Sequence, residues 1–291
     1  MDLRQSPLWA EYMRHLGWKT EKIADHYVYI YPFLFWKFSK IPRFTSSLDL
    51  KKVDQFLKKE GVLLAKLEPD FSVTNQINSQ FSILNFQFDK WALAPTKTIV
   101  LNLLQSLEDL LMEMEKDTRY SVRTSAKRGV KVRESTNFEQ FYLLYQQTSK
   151  RGKFWIESKK NLLKRWEIFS KEGEAKIFTA YFKKEPLASA MVFYHESIAY
   201  YLYAGSSKEK RGLFAPYLLV WEIIKDAKKR GFKKLDLEGI YDPRIPSTKS
   251  WQGFSLFKKG FRGEELTSAG TFTKVYNPLL SKLFKLADKF W

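Results

Sequence analysis

The chain has 291 residues, of which 44% are hydrophobic and 16% aromatic, and its 50 Lys and Arg outnumber 32 Asp and Glu to give a formal net charge of +18. This apolar content excludes a disordered chain and is sufficient for one large core or two modest ones. The absence of cysteine excludes disulfides, thiolate nucleophiles and Cys-ligated metals, and is compatible with a reducing compartment. The charge indicates an anionic partner, such as nucleic acid, a membrane surface or a phosphorylated substrate.

The sequence predicts neither a leader nor a membrane span. The N-terminal run MDLRQSPLWAEYMRHLGWK lacks the apolar core of a signal peptide. The most apolar window, HYVYIYPFLFWKF, is interrupted by Pro32 and is shorter than the roughly 20 residues that a spanning helix needs. We therefore expect a cytoplasmic protein, with peripheral contact at the inner membrane surface as an alternative. The few histidines are too dispersed for a metal site, so no metal and no cofactor is expected.

Helix and strand patterns alternate through the first half of the chain. Capping residues mark helix starts, as at Ser6 followed by Pro7, and Gly61 marks a helix end. The predicted elements are a helix over 6–17, the β-rich runs EKIADHYVYIYP and FLFWKFSKIPR, a helix over 49–60, the strand VLLAKLE, the strand-like runs FSILNFQF and TKTIVLNL, a helix over 106–116 and the strand GVKVRE.

The second half continues this alternation. The predicted elements are helices over 137–151 and 158–171, the three-strand meander AKIFTAYFKK, PLASAMVFYH and SIAYYLYAGSS, a helix over 213–230, the strands KKLDLEG and ELTSAGTF, and a final amphipathic helix, PLLSKLFKLADKFW. SAKRGVKVRE and DAKKRGFKKLDLE both run from a helix through Arg-Gly into a strand. Helix capping and two copies of one helix–strand module explain this echo equally well.

The stretch RYSVRTSAKRGVKVRE, from Arg119 to Glu134, carries six basic residues before its first acid. If it is helical, like charges four residues apart destabilise it by a few tenths of a kcal/mol each. The run is therefore either a solvated face or a site for an anion. The helical spacing of Arg119, Arg123 and Lys127 predicts that these three bind an anionic substrate, whereas Arg128 and Lys131 are expected to be solvated.

A meander followed by a long helix and a strand is the order found in GNAT-type acyltransferases. Those enzymes hold the pyrophosphate of acetyl-CoA on backbone N–H groups at the start of the long helix, in a loop free of bulky side chains. In the matching loop, SSKEKRGLFAPYLL, Gly212 is in place, but Phe214 stands where a small residue is needed. The sequence therefore disfavours acetyl-CoA.

Two groups of residues near the C-terminus can carry chemistry. Asp236 and Glu238 are two residues apart and share one face of a strand. They could act as a general base or as a clamp for a ligand. The favoured interpretation is that they form the solvent-exposed edge of that strand. In GFSLFKKGFRG, Phe257 and Phe261 bracket Lys258 and seat a ring beside a cation. Core phenylalanines with solvated lysines are the equally weighted alternative.

Four motifs, in order, resemble those of the FemABX family of peptidoglycan-bridge aminoacyltransferases, also called lipid II:glycine glycyltransferases. QSPLW is similar to the family's Q-S-x-x-W, and TRYSVRTSAKRGVKV to R-Y-N-I-R-x-A-x-x-x-G-V-x-V. LDLEGI resembles Y-D-F-x-G-I, and GFSLFKKGFRGE resembles G-x-x-x-F-K-x-G-F-G-G-E. Ser121, Leu235 and Arg262 depart from an Asn, an aromatic residue and a Gly of these motifs.

The resemblance implies an α/β (α+β) fold of tandem GNAT-like domains with mixed sheets. The expected division is 1–131 for domain one and 132–273 for domain two, with a C-terminal helix over 274–291 docking back on domain one. The implied activity moves an amino acid from aminoacyl-tRNA to the stem peptide of a peptidoglycan precursor, either lipid II or a UDP-muropeptide. Both substrates are therefore expected partners. No coiled-coil insertion is visible, so any tRNA contact is expected on the globular body.

The resemblance also assigns Lys258 the essential positive charge, beside Phe257. An aminoacyl ester is already activated, so its transfer to an amine needs a fixed cation for the oxyanion more than a strong base. The predicted substrate-binding residues are Phe257, Arg119, Tyr120, Arg123, Lys127, Asp236, Gly239, Tyr203, Arg211 and Tyr217. Two other hypotheses remain at this point: an acyl-CoA-dependent N-acyltransferase of exopolysaccharide or envelope assembly, and a non-enzymatic basic binder of nucleic acid or membrane surfaces.

Overall fold

A computed structural model describes residues 1–73 and 77–277 of the chain. They form two compact units, one made of Met1–Thr96 with the chain from Thr267 onward, and one made of Lys97–Leu266. Each unit contains its own mixed sheet. The first unit is therefore discontinuous in sequence, and the second is a continuous insertion within it.

In the first unit, six strands lie in the order β1-β2-β3-β4-β13-β5. Strands β3 and β4 are parallel, while β13 is antiparallel to both β4 and β5. The apolar faces of the helices and the sheet enclose one core, in which Phe44, Phe81 and Phe272 are almost fully buried. The elements are α1 (Pro7–His15), β1 (Lys19–Ile23), β2 (His26–Phe33), β3 (Trp36–Phe44), α2 (Leu50–Lys59), β4 (Val62–Pro69), α3 (Ile77–Ile83), β5 (Gln87–Asp89) and, near the end of the chain, β13 (Thr271–Val275).

The helix boundaries of this unit follow the predicted capping residues. The Ser6 hydroxyl accepts a hydrogen bond from the Trp9 amide, and the Asp49 carboxylate accepts from the first amides of α2. Gly61 has a φ of +69°, the left-handed conformation that ends a helix without the steric cost of a Cβ. Local capping chemistry therefore sets where α1 and α2 begin and where α2 gives way to β4.

In the second unit, seven strands lie in the order β12-β6-β11-β10-β9-β8-β7. Strands β7 to β10 form an antiparallel meander, and β10 pairs with β11 in parallel. The elements are β6 (Lys97–Asn102), α4 (Leu107–Glu113), α5 (Lys116–Lys127), β7 (Val130–Ser135), α6 (Phe138–Gly152), α7 (Lys159–Lys171), β8 (Ala175–Phe182), β9 (Glu185–His195), β10 (Ile198–Ser206), α8 (Ala215–Lys229), β11 (Lys234–Asp236), α9 (Gln252–Lys259) and β12 (Glu264–Thr267).

Helices cover both faces of this second sheet. On one face α8 packs against β8 and β9 and against α5, and it buries Leu219, Val220 and Ile223 in the core. On the other face α6 crosses β10 so closely that a Cβ at Gly205 would lie 2.3 Å from the Leu144 carbonyl carbon and the Tyr145 nitrogen. Glycine at this position is therefore a packing requirement.

Three element predictions need correction. The run FSILNFQF is not one strand, because Phe81 to Ile83 belong to α3 and only Gln87–Asp89 form a strand. ELTSAGTF is two strands, β12 and β13, which belong to different sheets. The predicted helix 106–116 ends at Glu113, and the basic stretch forms the separate helix α5. The strand prediction was wrong at Phe81 because burial of this side chain in the core outweighs the strand propensity of the surrounding residues.

The two similar segments, SAKRGVKVRE and DAKKRGFKKLDLE, do not belong to different units, as two copies of one module in tandem domains would. The first joins α5 to β7 and the second joins α8 to β11, and all four elements belong to the second unit. Gly129 and Gly231 have φ values of +86° and +85°, so each serves as a left-handed helix end. Helix capping is therefore the explanation that fits.

The units divide at 96/97 and 266/267, whereas the sequence suggested a division at 131/132. The physical reason is that β6 pairs with β11 and that α5 packs on α8, which holds 97–131 in the second unit. The predicted helix over 274–291 begins inside β13, and residues 278–291 lie outside the described part of the chain.

Candidate active site on the second unit

The candidate site is built on α9, the short helix that carries Lys258. Phe254, Phe257, Lys258 and Phe261 are spaced three and four residues apart, so they share one side of the helix and its C-terminal turn. A Cβ at Gly260 would lie 2.1 Å from the Thr118 hydroxyl, and the Gly260 carbonyl accepts from the Glu115 amide at 2.9 Å. The end of α9 is therefore fixed against the start of α5.

A backbone bulge after β11 provides the partners of Lys258. The Leu237 amide donates to the Ile99 carbonyl at 2.8 Å and the Ile240 amide to the Lys97 carbonyl at 2.9 Å, so two residues intervene between successive contacts with β6. Glu238, within this bulge, has a φ of +61°. The carbonyls of Glu238 and Gly239 accept hydrogen bonds from Lys258 Nζ at 3.1 and 2.8 Å. The bulge therefore presents two consecutive acceptors to one ammonium group.

Asp236 holds the bulge in place from inside the protein. Its Oδ1 accepts hydrogen bonds from the Thr98 hydroxyl and, at 2.7 Å, from the Glu238 amide. Asp236 and Glu238 are only 7% and 5% exposed, so the favoured interpretation of these carboxylates as a solvent-exposed strand edge is wrong. Their charges face inward because the strand leads directly into the buried bulge.

Burial makes the charged form of Lys258 less stable than that of an exposed lysine. Burial lowers the pKa of Lys258 to about 8, against the opposing effect of the Glu238 and Asp236 carboxylates, which raise it. The ammonium nitrogen also lies 5.1 Å from the centroid of the Phe254 ring. An ammonium group has three donors, and among the described residues only the two bulge carbonyls accept from it. One N–H therefore remains for a ligand.

The phenylalanines around Lys258 differ in role from the prediction. Phe261 is 2% exposed and belongs to the hydrophobic core, so it is not available to a ligand. Phe257 is half-buried, and its ring meets the Tyr217 ring edge-on at 4.9 Å. The ring beside the Lys258 ammonium belongs to Phe254, which the sequence did not single out. The i,i+4 spacing of Phe254 and Lys258 was the signal that could have identified it.

A chain of aromatic rings extends from Phe254 to β10. Phe154 lies 6.5 Å from Phe254 and 6.5 Å from Tyr145, and Tyr145 lies 5.7 Å from Tyr203. This series connects the predicted Tyr203 to α9 through two residues that no sequence motif identified. The sequence could not indicate this series, because its four rings come from four separate elements or loops.

The start of α8 is occupied by aromatic and cationic side chains. Phe214 adopts a φ of +53°, and its ring lies 6.1 Å from the Tyr120 ring and 6.3 Å from the Tyr217 ring. The Arg128 guanidinium donates to the Gly212 carbonyl and lies 5.8 Å from the Phe214 ring. Arg128 is solvent-exposed, and its hydrogen bond to Gly212 joins the end of α5 to the loop before α8. These bulky groups at the helix start agree with the expectation that acetyl-CoA is disfavoured.

The three predicted anion-binding residues of α5 have different environments. Arg119 donates to the carbonyls of Met112 and Met114 at 2.7 and 2.9 Å, so it satisfies the end of α4. Arg123 and Lys127 are exposed. Arg211 is also exposed. The pKa of Arg151 is lowered mainly by the burial of Arg151 and, to a smaller extent, by the positive charge of Arg211.

The structure brings some predicted residues together and leaves others apart. Lys258 contacts Gly239, and Phe257 contacts Tyr217, while Asp236 supports the same bulge. Tyr120 reaches Tyr217 through Phe214. The predicted basic residues lie apart from this group. Over the two described ranges they make no hydrogen bond, ion pair or ring contact with Lys258, Phe257, Tyr217, Asp236 or Gly239. The basic residues concerned are Arg119, Arg123, Lys127 and Arg211.

A concave surface lies at the sheet edge formed by β7. It is lined by Gly129, Lys131, Arg133, Tyr181, Phe182, Lys183 and Lys184. Lys131 and Arg133 stand on the same face of β7 and are exposed. The sequence did not predict this basic groove, because it joins β7 to the turn between β8 and β9, about fifty residues later in the chain.

Comparison with known proteins identifies the group to which these motifs belong. The model of the FemAB family matches residues 76–184 and 169–289, well over half of the chain. The chain belongs to the FemAB family. It is 21% identical over 379 aligned positions to a lipid II:glycine glycyltransferase of Staphylococcus haemolyticus (strain JCSC1435), covering 98% of this chain and 90% of the relative. Because the alignment exceeds the 291 residues of this chain, the relative contains segments that this FemAB protein lacks.

Solved structures confirm the predicted fold class. The crystal structure of FemX superposes with a TM-score of 0.82 at 18% identity, covering 98% of this chain and 94% of FemX. A tandem GNAT protein from the clavulanic acid biosynthesis pathway gives a TM-score of 0.51 at 7% identity, covering 87% of this chain and 79% of that protein. The FemAB fold of this chain is thus a GNAT-like α/β architecture.

Proposed function

We propose that this FemAB protein transfers an amino acid from aminoacyl-tRNA to an amine in the stem peptide of a peptidoglycan precursor. The observation that carries the proposal is the arrangement of Lys258, whose ammonium is held by two carbonyls while one N–H remains for a ligand. Family membership and a relative named for glycine transfer to lipid II support the same class of reaction.

The proposed reaction replaces a C–O bond with a C–N bond and moves one proton. The neutral acceptor amine attacks the ester carbonyl carbon, a C–N bond forms, and the C–O bond to the ribose breaks. The departing ribose oxygen gains a proton from Lys258, and the proton lost by the amine restores the charge of Lys258. The remaining N–H of Lys258 donates first to the carbonyl oxygen as it becomes negative and then to the leaving oxygen, where a fixed cation has its largest effect.

The position of Lys258 suits this role electrostatically. Because its pKa is lowered to about 8, roughly nine in ten molecules carry the proton at pH 7. A lysine with a lowered pKa also transfers its proton to an alkoxide more readily than an exposed lysine does. The bulge carbonyls and the Phe254 ring hold the charge in a single place, so little reorganisation is needed when the oxyanion develops.

The proposed RNA donor requires a basic surface, and this unit offers two. One is the exposed pair Arg123 and Lys127 on α5, and the other is the basic groove at β7 with Lys131 and Arg133. Both can pair with phosphodiesters, in which case the logarithm of the binding constant falls linearly with the logarithm of the salt concentration. The aromatic residues at the start of α8 argue against acyl-CoA as the donor.

The test is direct. Purified protein is incubated with total charged tRNA and either UDP-muropeptide or lipid II, and the products are weighed by mass spectrometry. The proposal expects a mass increase of one or more aminoacyl residues that disappears after RNase treatment of the donor. A product formed from acetyl-CoA in place of charged tRNA, or no product with either acceptor, would overturn it.

A further inference from the structure

The tip of the hairpin formed by β2 and β3 exposes three consecutive large apolar side chains. Phe33 is 41% exposed, Leu34 81% and Phe35 97%. Single exposed apolar residues are ordinary on protein surfaces, but a contiguous cluster marks an interaction site. The tip is thus a contiguous exposed apolar cluster on the first unit.

The turn itself is built from residues that a hairpin does not favour. Phe33 pairs with Trp36, so Leu34 and Phe35 form a two-residue loop, and Leu34 has a φ of +55°. Such loops are normally Asn-Gly or start with Gly, because a Cβ in this conformation costs about 1 kcal/mol or more. The first loop residues of three other two-residue hairpins, Ala24, Lys183 and Glu196, have a similar φ, so the backbone conformation alone assigns no role. What distinguishes this turn is that two large apolar side chains lie in water, which points to a role outside folding.

We infer that this hairpin tip inserts into the surface of an anionic lipid bilayer. The apolar surface of the tip is roughly 400 Å², taking about 200 Å² for each fully exposed large side chain. A stable protein interface needs about 800 Å² on each partner. A narrow, convex tip therefore offers too little area for a second copy of the chain, but it is enough to enter the boundary between headgroups and acyl chains.

The residues around the tip have the chemistry of the bilayer interface. Trp36 and Lys37 follow it directly, and an aromatic residue beside a lysine is typical at headgroup depth. The formal net charge of +18 attracts the chain to anionic lipid. No helix within the described ranges is long and apolar enough to cross a membrane.

The inference extends the proposed function, because a lipid-linked acceptor is confined to such a surface. Docking of the tip would place the enzyme in the same layer as its acceptor. The tip itself would take no part in the chemistry, since a water-soluble acceptor with the same stem peptide does not require the bilayer.

A paired substitution tests the inference without endangering the fold. Leu34→Gly with Phe35→Asn places glycine at the loop position that has a positive φ and gives a turn sequence common in two-residue hairpin loops, so the melting temperature should stay the same or rise. Binding to vesicles of phosphatidylglycerol and phosphatidylcholine in equal parts should weaken at least roughly tenfold, because two large side chains no longer enter the bilayer. The matched control is Leu104→Ser, which removes an isolated leucine that is 70% exposed in the second unit and should leave vesicle binding unchanged.

Activity separates this inference from the proposed function. The paired variant should lose transfer to lipid II embedded in vesicles but keep transfer to UDP-muropeptide. If neither acceptor is used by the unmodified protein, the proposed function fails while the vesicle assay still decides the inference. Vesicle binding equal in the unmodified and paired-variant proteins would overturn the inference. A dimer in light scattering that the paired substitution makes monomeric would also overturn it.

Discussion

Each unit contains one parallel strand pair, and the two pairs end differently. In the first unit, β4 next to β3 carries Glu68, which is 3% exposed and accepts from the Leu93 amide at 2.6 Å, the Ala94 amide at 3.1 Å and the Thr271 hydroxyl at 2.7 Å. Arg43, in a bulge of β3 with a φ of +52°, donates to the Pro95 carbonyl. Loops and neighbouring strands of the same unit thus bind these two buried charges.

In the second unit, β11 next to β10 also runs into a bulge, but its backbone carbonyls face a lysine from a separate helix. That lysine retains one N–H donor. The comparison teaches that a buried charge at the end of a parallel pair is structural where its own unit encloses it. Arg43 and Glu68 are 2% and 3% exposed, so even Arg43 Nε and Glu68 Oε2, which have no hydrogen-bond partner among the described residues, are closed to a ligand. A charge becomes a candidate for chemistry where a partly exposed side chain, such as Lys258, keeps a donor available.

The largest expected effect follows from removing that donor. Lys258→Met keeps the aliphatic stem and should lower aminoacyl transfer roughly a hundredfold or more, on the order of 3 kcal/mol of transition-state stabilisation. Stability should change little, because losing a buried charge offsets the loss of hydrogen bonds to two carbonyls. Turnover and melting temperature are measured together.

The matched control is Lys259→Met, one residue further along. Its ammonium forms an exposed ion pair with Glu265 at 2.7 Å, so transfer should be retained and stability should fall by less than about 1 kcal/mol. Equal activity in the Lys258 and Lys259 variants would end the proposed role of Lys258.

The second effect should appear in the other unit and in stability alone. Glu68→Ala leaves two amides and a hydroxyl without their acceptor and should lower the free energy of unfolding by about 2 kcal/mol or more. Glu68→Gln keeps one acceptor oxygen and should cost less. Denaturant unfolding measures both. A Glu68 variant that stays fully stable yet loses transfer would contradict the contrast between the two strand pairs.

The third effect is a pH dependence, with a sign set by the lowered pKa of Lys258. The proposed donor is the protonated lysine, which loses its proton as pH rises through about 8, so activity should fall to half near that pH on the alkaline side. On the acid side activity should fall because the acceptor amine becomes protonated. The ratio of kcat/KM for the unmodified protein to that of Lys258→Met, measured across pH, isolates the lysine. A ratio that stays constant above pH 8 would exclude this assignment.

The smallest effect concerns Arg262, which stands where the family motif has glycine. It adopts a φ of +61°, and its guanidinium lies 3.3 Å from a Glu115 carboxylate oxygen in an exposed ion pair. Arg262→Gly should raise the free energy of unfolding by less than about 1 kcal/mol, because relief of strain exceeds the loss of a surface ion pair. Unchanged transfer is expected. A destabilised variant would mean that the ion pair outweighs the backbone strain.

The sequence predicted those parts of the fold that depend on local chemistry. Helix starts at Ser6, Asp49 and Ser106 follow from side chains that cap nearby amides. Motif resemblance singled out Lys258 and Phe257. The bulge that accepts hydrogen bonds from Lys258 could not be predicted, because backbone carbonyls leave no pattern of side chains in the sequence. The neighbours of α9, such as Phe154 and Tyr145, come from distant parts of the chain that only tertiary packing brings together.

The position of β13 in the first sheet has a consequence for biosynthesis. This strand lies between β4 and β5, yet it consists of Thr271–Val275, almost at the end of the chain. During translation the continuous second unit is complete once residue 266 has left the ribosome, while the first unit, although synthesised first, still lacks its inner strand. Until β13 arrives, β4 and β5 present unpaired edges, so the growing chain has the exposed surface that chaperones bind and that invites aggregation. A nascent chain stalled before Thr271 would therefore contain a folded second unit and an unfinished first one.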